Sequence, residues 1–149
     1  MKRCLLIASA FVVALCVPAL RGGQDAREKA GKDAVQKELQ RLEGTWQCRW
    51  VGRNGQKFEA QDEPITIKGA KWFVNEKAVA SFTIDMTTSP KLIDLTDLLE
   101  KKGLKAEGIY KLEEDKLTIC FSRGGGLRPT EFASAEGTTI VLMVLKKQN

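Results

Sequence analysis

Whatever chemistry this chain performs is done without histidine, for its 149 residues contain none. That removes every Ser–His and Cys–His nucleophile pair and the commonest metal ligand. Of the four cysteines, Cys4 and Cys16 fall in an N-terminal apolar run, which leaves Cys48 and Cys120. A zinc site built from cysteine alone needs four thiolates. Gly124-Gly125-Gly126 lacks the following Lys-Ser or Lys-Thr of a phosphate loop and reads as a flexible connection. A two-carboxylate hydrolase would require Asp85, Asp94 and Glu107 to converge. Single acids on strands and loops are ordinarily solvated. The chain therefore reads as a non-enzyme, with no catalytic residue, no metal and no cofactor.

The N-terminus has the layout of a targeting segment. Lys2-Arg3 is a positive start, Cys4 to Val17 is apolar apart from Ser9, and Val17-Pro18-Ala19 offers small residues for a signal peptidase. The run is 14 residues long, short of the ~20 that a membrane span needs. Residues 1–19 are thus expected to be a cleaved signal peptide, and no stable membrane span is expected. Lipoprotein anchoring at Cys16 is disfavoured by the bulk of Leu15 before it. The expected location is periplasmic or extracellular.

Removing Lys2 and Arg3 leaves 22 basic against 19 acidic residues. The lysines are spread among acids, so the surface is a solvated one and no nucleic-acid footprint is expected. An exported chain with two cysteines invites a disulfide. Strand parity opposes it, because Cys48 shares a face with Trp46 while Cys120 lies on the face opposite Ile119 and Phe121.

Residues 20–32 are charged and glycine-containing and read as a flexible linker; the domain is expected over 33–149. Asp33 with Gln36 resembles a helix N-cap, Val35, Leu39 and Leu42 form one apolar stripe, and Gly44 ends it. The expected short helix lies across one end of the β-structure that begins after it. From Gly44 the pattern changes to a period of two: Trp46, Cys48 and Trp50 alternate with polar residues. Asn54-Gly55 is a hairpin signal. Further short strands are expected around Lys57–Ala60, Ile65–Ile67, Trp72–Val74, Ala80–Asp85, Lys91–Thr96, Gly108–Leu112, Lys116–Phe121 and Thr139–Leu145. The last is apolar on both faces and should be buried on both. Spacings near ten residues with tight turns predict an all-β fold, a small antiparallel up-and-down β-barrel of about eight strands. Such a barrel is either filled by side chains or holds one small ligand.

With these segments in order, the chain resembles the uncharacterised lipocalin-like domain abundant in planctomycete bacteria. The residues that carry the resemblance are Leu39–Trp46, Ser89–Thr96, Gly108–Leu112, Leu117–Cys120 and Arg128–Phe132, over nearly all of the chain after the leader. The resemblance implies an exported calycin-type barrel and no activity. It gives structural roles to Gly44, Trp46, Asp94, Gly108, Arg128, Pro129 and Phe132, with Trp46 closing the barrel floor. In lipocalins a basic residue near the end of the last strand packs over this tryptophan, and Lys146 or Lys147 stands there where arginine would be usual. Arg128 is expected to latch a loop by meeting Asp94 or Glu131.

Strand parity nominates Trp50, Phe82, Tyr110, Leu112, Ile119 and Phe121 as interior residues. As a ligand site these would be Trp50, Phe82, Tyr110, Leu112 and Phe121. Two functions are open to such a chain. The barrel, expected to be a monomer, binds a small apolar or amphipathic molecule, or it is a solid-cored module that binds another envelope protein. Bulk at the interior positions separates them: a filled interior favours the second.

Overall fold

The computed structural model describes residues 22–59, 63–99 and 103–149. The leader expected at 1–19 lies outside them. Among the described residues, helix α1 (Gly22–Leu42) precedes strands β1 (Gly44–Arg53), β2 (Gln56–Glu59), β3 (Ile65–Lys68), β4 (Lys71–Val74), β5 (Lys77–Asp85), β6 (Lys91–Asp97), β7 (Lys105–Glu113), β8 (Lys116–Ser122) and β9 (Ile140–Lys147). No helix among the described residues is long and apolar enough to cross a membrane.

Each strand pairs antiparallel with its neighbours, and β1 pairs with β9 to close the sheet on itself. β3 pairs with the start of β1 (Gly44–Trp46) and β2 with its end (Trp50–Arg53). Since β9 takes the other edge of β1, β2 and β3 are two pieces of one strand position, interrupted ahead of Pro64. The result is the expected closed antiparallel barrel of eight strand positions. Closure removes most of the unpaired edge that an open sheet would expose. The β1–β2 turn is made by Asn54 (φ 50°) and Gly55 (φ 72°), the positive-φ pair that a two-residue hairpin requires.

α1 differs from expectation in where it begins. It starts at Gly22, upstream of Asp33, so residues 22–32, expected as linker, form its first half. That stretch contains Gln, Arg, Glu, Lys and Ala, good helix formers, and Glu28 pairs with Lys32 one turn on at 2.7 Å. No buried face is needed there, and from residue 26 its side chains are exposed until Val35. The packed face is the expected stripe, Val35, Leu39 and Leu42, with one addition, Glu38.

The helix ends on the barrel floor, and Trp46 joins the two. Its side chain is 0 % exposed. Its Nε1 donates to the Leu42 carbonyl at 2.8 Å, satisfying one of the carbonyls a helix end leaves open. Lys147 of β9 lies opposite Trp46 in the register. Its Nζ sits 5.3 Å from the indole centroid and donates to the Arg41 carbonyl at 3.0 Å. Of the two lysines nominated, Lys147 therefore fills this position, while Lys146 faces Asp115 at 3.6 Å. Gly44 makes the approach possible. Its φ is +128°, and a Cβ there would stand 2.8 Å from the Lys147 Cε.

The long connection between β8 and β9 runs over the outside of the wall as a strap. Arg128 Nη1 donates to the Gly108 carbonyl at 2.7 Å and lies 2.7 Å from Asp94 and, through Nη2, 3.8 Å from Glu107. Farther along, the Ala133 carbonyl accepts from the Cys120 thiol at 3.4 Å, the Ser134 carbonyl accepts from the Gly55 amide at 2.9 Å, and Gly137 N–H donates to Asn54 at 2.6 Å. The strap thus crosses from β6 and β7 to the β1–β2 hairpin. Beneath it lies a second apolar cluster of Ile109, Cys120 and Leu142, packed by Trp50, Leu92, Phe132 and Ile140. This cover is why β9 is apolar on both faces.

Truncating the indole removes the floor and leaves the Leu42 carbonyl without its donor. Trp46→Ala is expected to cost ~3–5 kcal/mol, read as a lower midpoint in urea unfolding with the m-value unchanged.

Candidate functional site

The barrel interior changes character along its axis. Near the floor it is packed with Trp46, Ile67, Ile93, Tyr110, Leu117, Ile119 and Leu145, all fully buried. At the opposite end the inward positions carry smaller residues, among them Ala80 on β5, Ala106 on β7 and Val141 on β9. A chamber of about 590 Å³ opens there. Trp72, Val79, Leu95 and Phe121 supply its apolar wall; Arg53, Asn54, Asp97, Arg123, Thr138 and Thr139 supply its polar margin. A volume of this size lies within the range that small-molecule pockets span.

A bulge helps to build the wall. Between β4 and β5 the register runs from Trp72 opposite Ala80 to Phe73 opposite Ala78, leaving Val79 unpaired. The extra residue turns both Val79 and Ala80 to the chamber. Trp72 is 7 % exposed, and its ring centroid lies 6.3 Å from that of Phe82. Its Nε1 has no hydrogen-bond partner among the described residues; a buried donor left unpaired typically costs about 1–3 kcal/mol.

Of the five residues nominated as a ligand site, the structure brings Phe121 alone to the chamber. Phe82 is interior and supports Trp72 from behind. Tyr110, Leu112 and Ile119 are also interior, but they belong to the core packing of the barrel and do not line the chamber. Trp50 is a correction. It does not face the interior at all, because a bulge at Arg49 shifts the β1–β9 register: Cys48 is opposite Leu145 but Trp50 is opposite Val144. Beyond the bulge it is Val51 that packs into the interior core. Trp50 goes to the outer cluster under the strap, with Lys57 Nζ 4.8 Å above its ring. The sequence reading missed Trp72, Leu95, Ala80, Ala106 and the two arginines. A signal existed for the alanines: Ala80 is in phase with Phe82, and Ala106 with Tyr110.

A second cavity of about 560 Å³ lies beside the break between β2 and β3, lined by Cys48, Val51, Phe58, Ile65, Val74 and Met143 among others. Arg53 borders both cavities. The two cysteines are free, Cys48 facing inward and Cys120 outward beneath the strap. Burial pushes both thiols above their ordinary value, so neither is a poised nucleophile. Of the acids considered for a hydrolase, Asp94 and Glu107 are directly opposed on β6 and β7, and both face Arg128. Asp85 is held below its ordinary value by hydrogen bonds from the Thr87 hydroxyl and amide.

At the floor, Glu38 is 4 % exposed yet charged. Lys91 Nζ lies 2.6 Å from Oε1, Arg41 Nη1 lies 2.8 Å from Oε2, and the Tyr110 hydroxyl donates to Oε1 at 3.3 Å. Burial alone would raise the carboxyl pKa; the hydrogen bond and charge of Lys91, with those of Arg41, outweigh it and hold the value below normal. Tyr110 moves the other way, raised by burial and by the Glu38 charge. The group ties the helix to β6 and β7.

Comparison with family models, with curated proteins and with solved structures returned no match.

Because the Glu38 value is lowered in the fold, its stabilisation is present above the ordinary value of 4.5 and is lost as the pH falls through the folded value. Glu38→Gln is expected to cost roughly 1–2 kcal/mol near neutral pH, discounted because Arg41 and Lys91 can turn to water. The difference from the parent protein should shrink below about pH 4.5 in unfolding titrations. A difference independent of pH would contradict this role.

Proposed function

We propose that this is an exported lipocalin-like barrel that holds one small amphipathic molecule in the chamber at its open end. The observation that carries the reading is the chamber itself: about 590 Å³, apolar in its wall and polar at its margin. A barrel serving solely as a solid interaction module has no use for Ala80 and Ala106 at inward positions where larger residues would fill the space. Membership of the lipocalin-like group is supported by the floor, where Gly44, Trp46 and Lys147 stand together as that resemblance implies. Export rests on the leader pattern at 1–19. The reading is of a binder and not a catalyst, consistent with protonated thiols and with acids engaged by Arg128.

The three tryptophans make the reading testable. Trp46 is sealed in the floor and Trp50 lies outside, so Trp72 is the indole that reports on the chamber. Titration with a hydrophobic fluorescent probe should shift tryptophan emission and saturate near one probe per chain. Trp72→Phe should abolish the shift and Trp50→Phe should leave it. A ligand at about 100 times its Kd stabilises the fold by ~2.7 kcal/mol, which appears as a raised Tm. Ala106→Leu fills part of the chamber and should weaken probe binding at least severalfold while leaving the Tm of the free protein unchanged or higher. Failure of every probe and of a native extract to raise the Tm would overturn the reading.

A further inference from the structure

The mouth of the chamber carries a charge pattern that a purely apolar ligand would not use. Arg53 ends β1 and Arg123 follows β8. They are in phase with the inward residues Val51 and Phe121, and both line the chamber. β9 runs between their strands. Neither guanidinium has a carboxylate within 4.0 Å among the described residues. Glu59 and Glu63 stand with Arg53 at the second cavity and do not pair with it. One carboxylate, Asp97, lines the chamber, on β6, with β7 between it and the strand of Arg123. Its Oδ1 accepts from the Leu99 amide at 2.7 Å, so it serves its own turn.

We infer that the chamber takes amphiphiles with a carboxylate head, the head seated between Arg53 and Arg123 and the tail lying against Val79, Leu95, Trp72 and Phe121. This rests on the chamber-binding reading above and narrows it to a ligand class. The physical basis is the match of two planar guanidiniums to a planar anion. Each can offer a pair of N–H donors, and such charge-assisted bonds strengthen next to an apolar wall that excludes water. A neutral head would leave both arginines to water. A cationic head would meet two like charges for the single carboxylate of Asp97. An apolar tail explains why the same chamber is lined by an indole and a phenyl ring below the charged margin.

The test compares dodecanoate, dodecanol and dodecyltrimethylammonium, each below its micelle concentration, by calorimetry and by Trp72 emission. Dodecanoate should bind roughly tenfold or more tighter than dodecanol, and the cationic probe weakest. Raising the salt to about 0.5 M should shrink the dodecanoate advantage, since the arginines are exposed and screened. The double variant Arg53→Gln, Arg123→Gln should lose that advantage while its dodecanol affinity stays unchanged. Equal binding of dodecanoate and dodecanol, a preference for the cation, or an unaltered dodecanoate affinity in the variant would overturn the head-group assignment and leave chamber binding standing. If none of the three binds and no hydrophobic probe shifts Trp72, both inferences fall together. Should the double variant not fold, as judged by circular dichroism, the head-group and salt series on the parent protein decides the matter.

Discussion

The structure depends on one buried indole. Trp46 fills the narrow end of the barrel, gives its N–H to the last turn of α1, and receives the Lys147 ammonium on its face. Those contacts join the first strand, the last strand and the helix at a single point. Barrel closure brings β1 and β9 together along seven paired residues, but a closed sheet alone leaves an open tube at both ends. The indole and the helix above it close one end, with the indole N–H satisfied by the Leu42 carbonyl. Glu38 belongs to the same solution. A buried carboxylate is costly unless paired, and here two cations and a phenol meet it, so this buried charge also ties the helix in place.

Closing one end with large side chains determines what the other can be. All eight strand positions share one interior, so the sizes of inward residues level by level decide whether the tube is solid or hollow. Near the floor tryptophan, tyrosine, leucine and isoleucine meet at packing density. Toward the mouth the small Val79, Ala80, Ala106 and Val141 stand among the larger Trp72, Leu95 and Phe121, and the barrel does not collapse to compensate, because its diameter is set by strand number and stagger. The chamber is thus a consequence of which residues occupy the upper level, with the Val79 bulge adding one more side chain to its wall.

Much of this was legible in the residues. Period-two alternation placed Phe82, Tyr110, Ile119 and Phe121 inside, and the Asn54-Gly55 turn, the helix stripe and the separation of the two cysteines onto opposite faces all come from local rules. Three features were not legible. The bulge at Arg49 breaks the alternation that Trp46, Cys48 and Trp50 display on paper, since a bulge inserts a residue without any special residue type to announce it. That single insertion sends Trp50 outward and Val51 inward. The chamber was hidden for another reason. Parity tells inward from outward but not how many side chains compete for a given level, and a void is a property of that sum. Small residues in phase with large ones, as Ala80 with Phe82, are the one trace it leaves in a sequence. The helical first half of α1 was misread because it buries nothing, so propensity acted without the periodicity that normally marks a helix.

The strap explains why the mouth remains open. The chain between β8 and β9 is the longest connection in the barrel, and both of its ends, at Gly124 and at Thr138 and Thr139, border the chamber. A loop rooted there would fold most directly across the opening and seal it. Arg128 draws it outward instead, onto the Gly108 carbonyl and the Asp94 and Glu107 carboxylates on the barrel wall. Gly108 permits this part of the wall to pack closely: a Cβ there would lie 2.6 Å from the Cys120 carbonyl and 2.8 Å from the Phe121 Cβ. Once outside, the strap buries Ile109, Cys120 and Leu142, and that apolar burial holds it down along its length. The second apolar face of β9 and the open chamber are therefore linked. Hydrophobic residues on the outer wall keep the loop off the mouth, and the two arginines at its margin, Arg53 and Arg123, stay exposed.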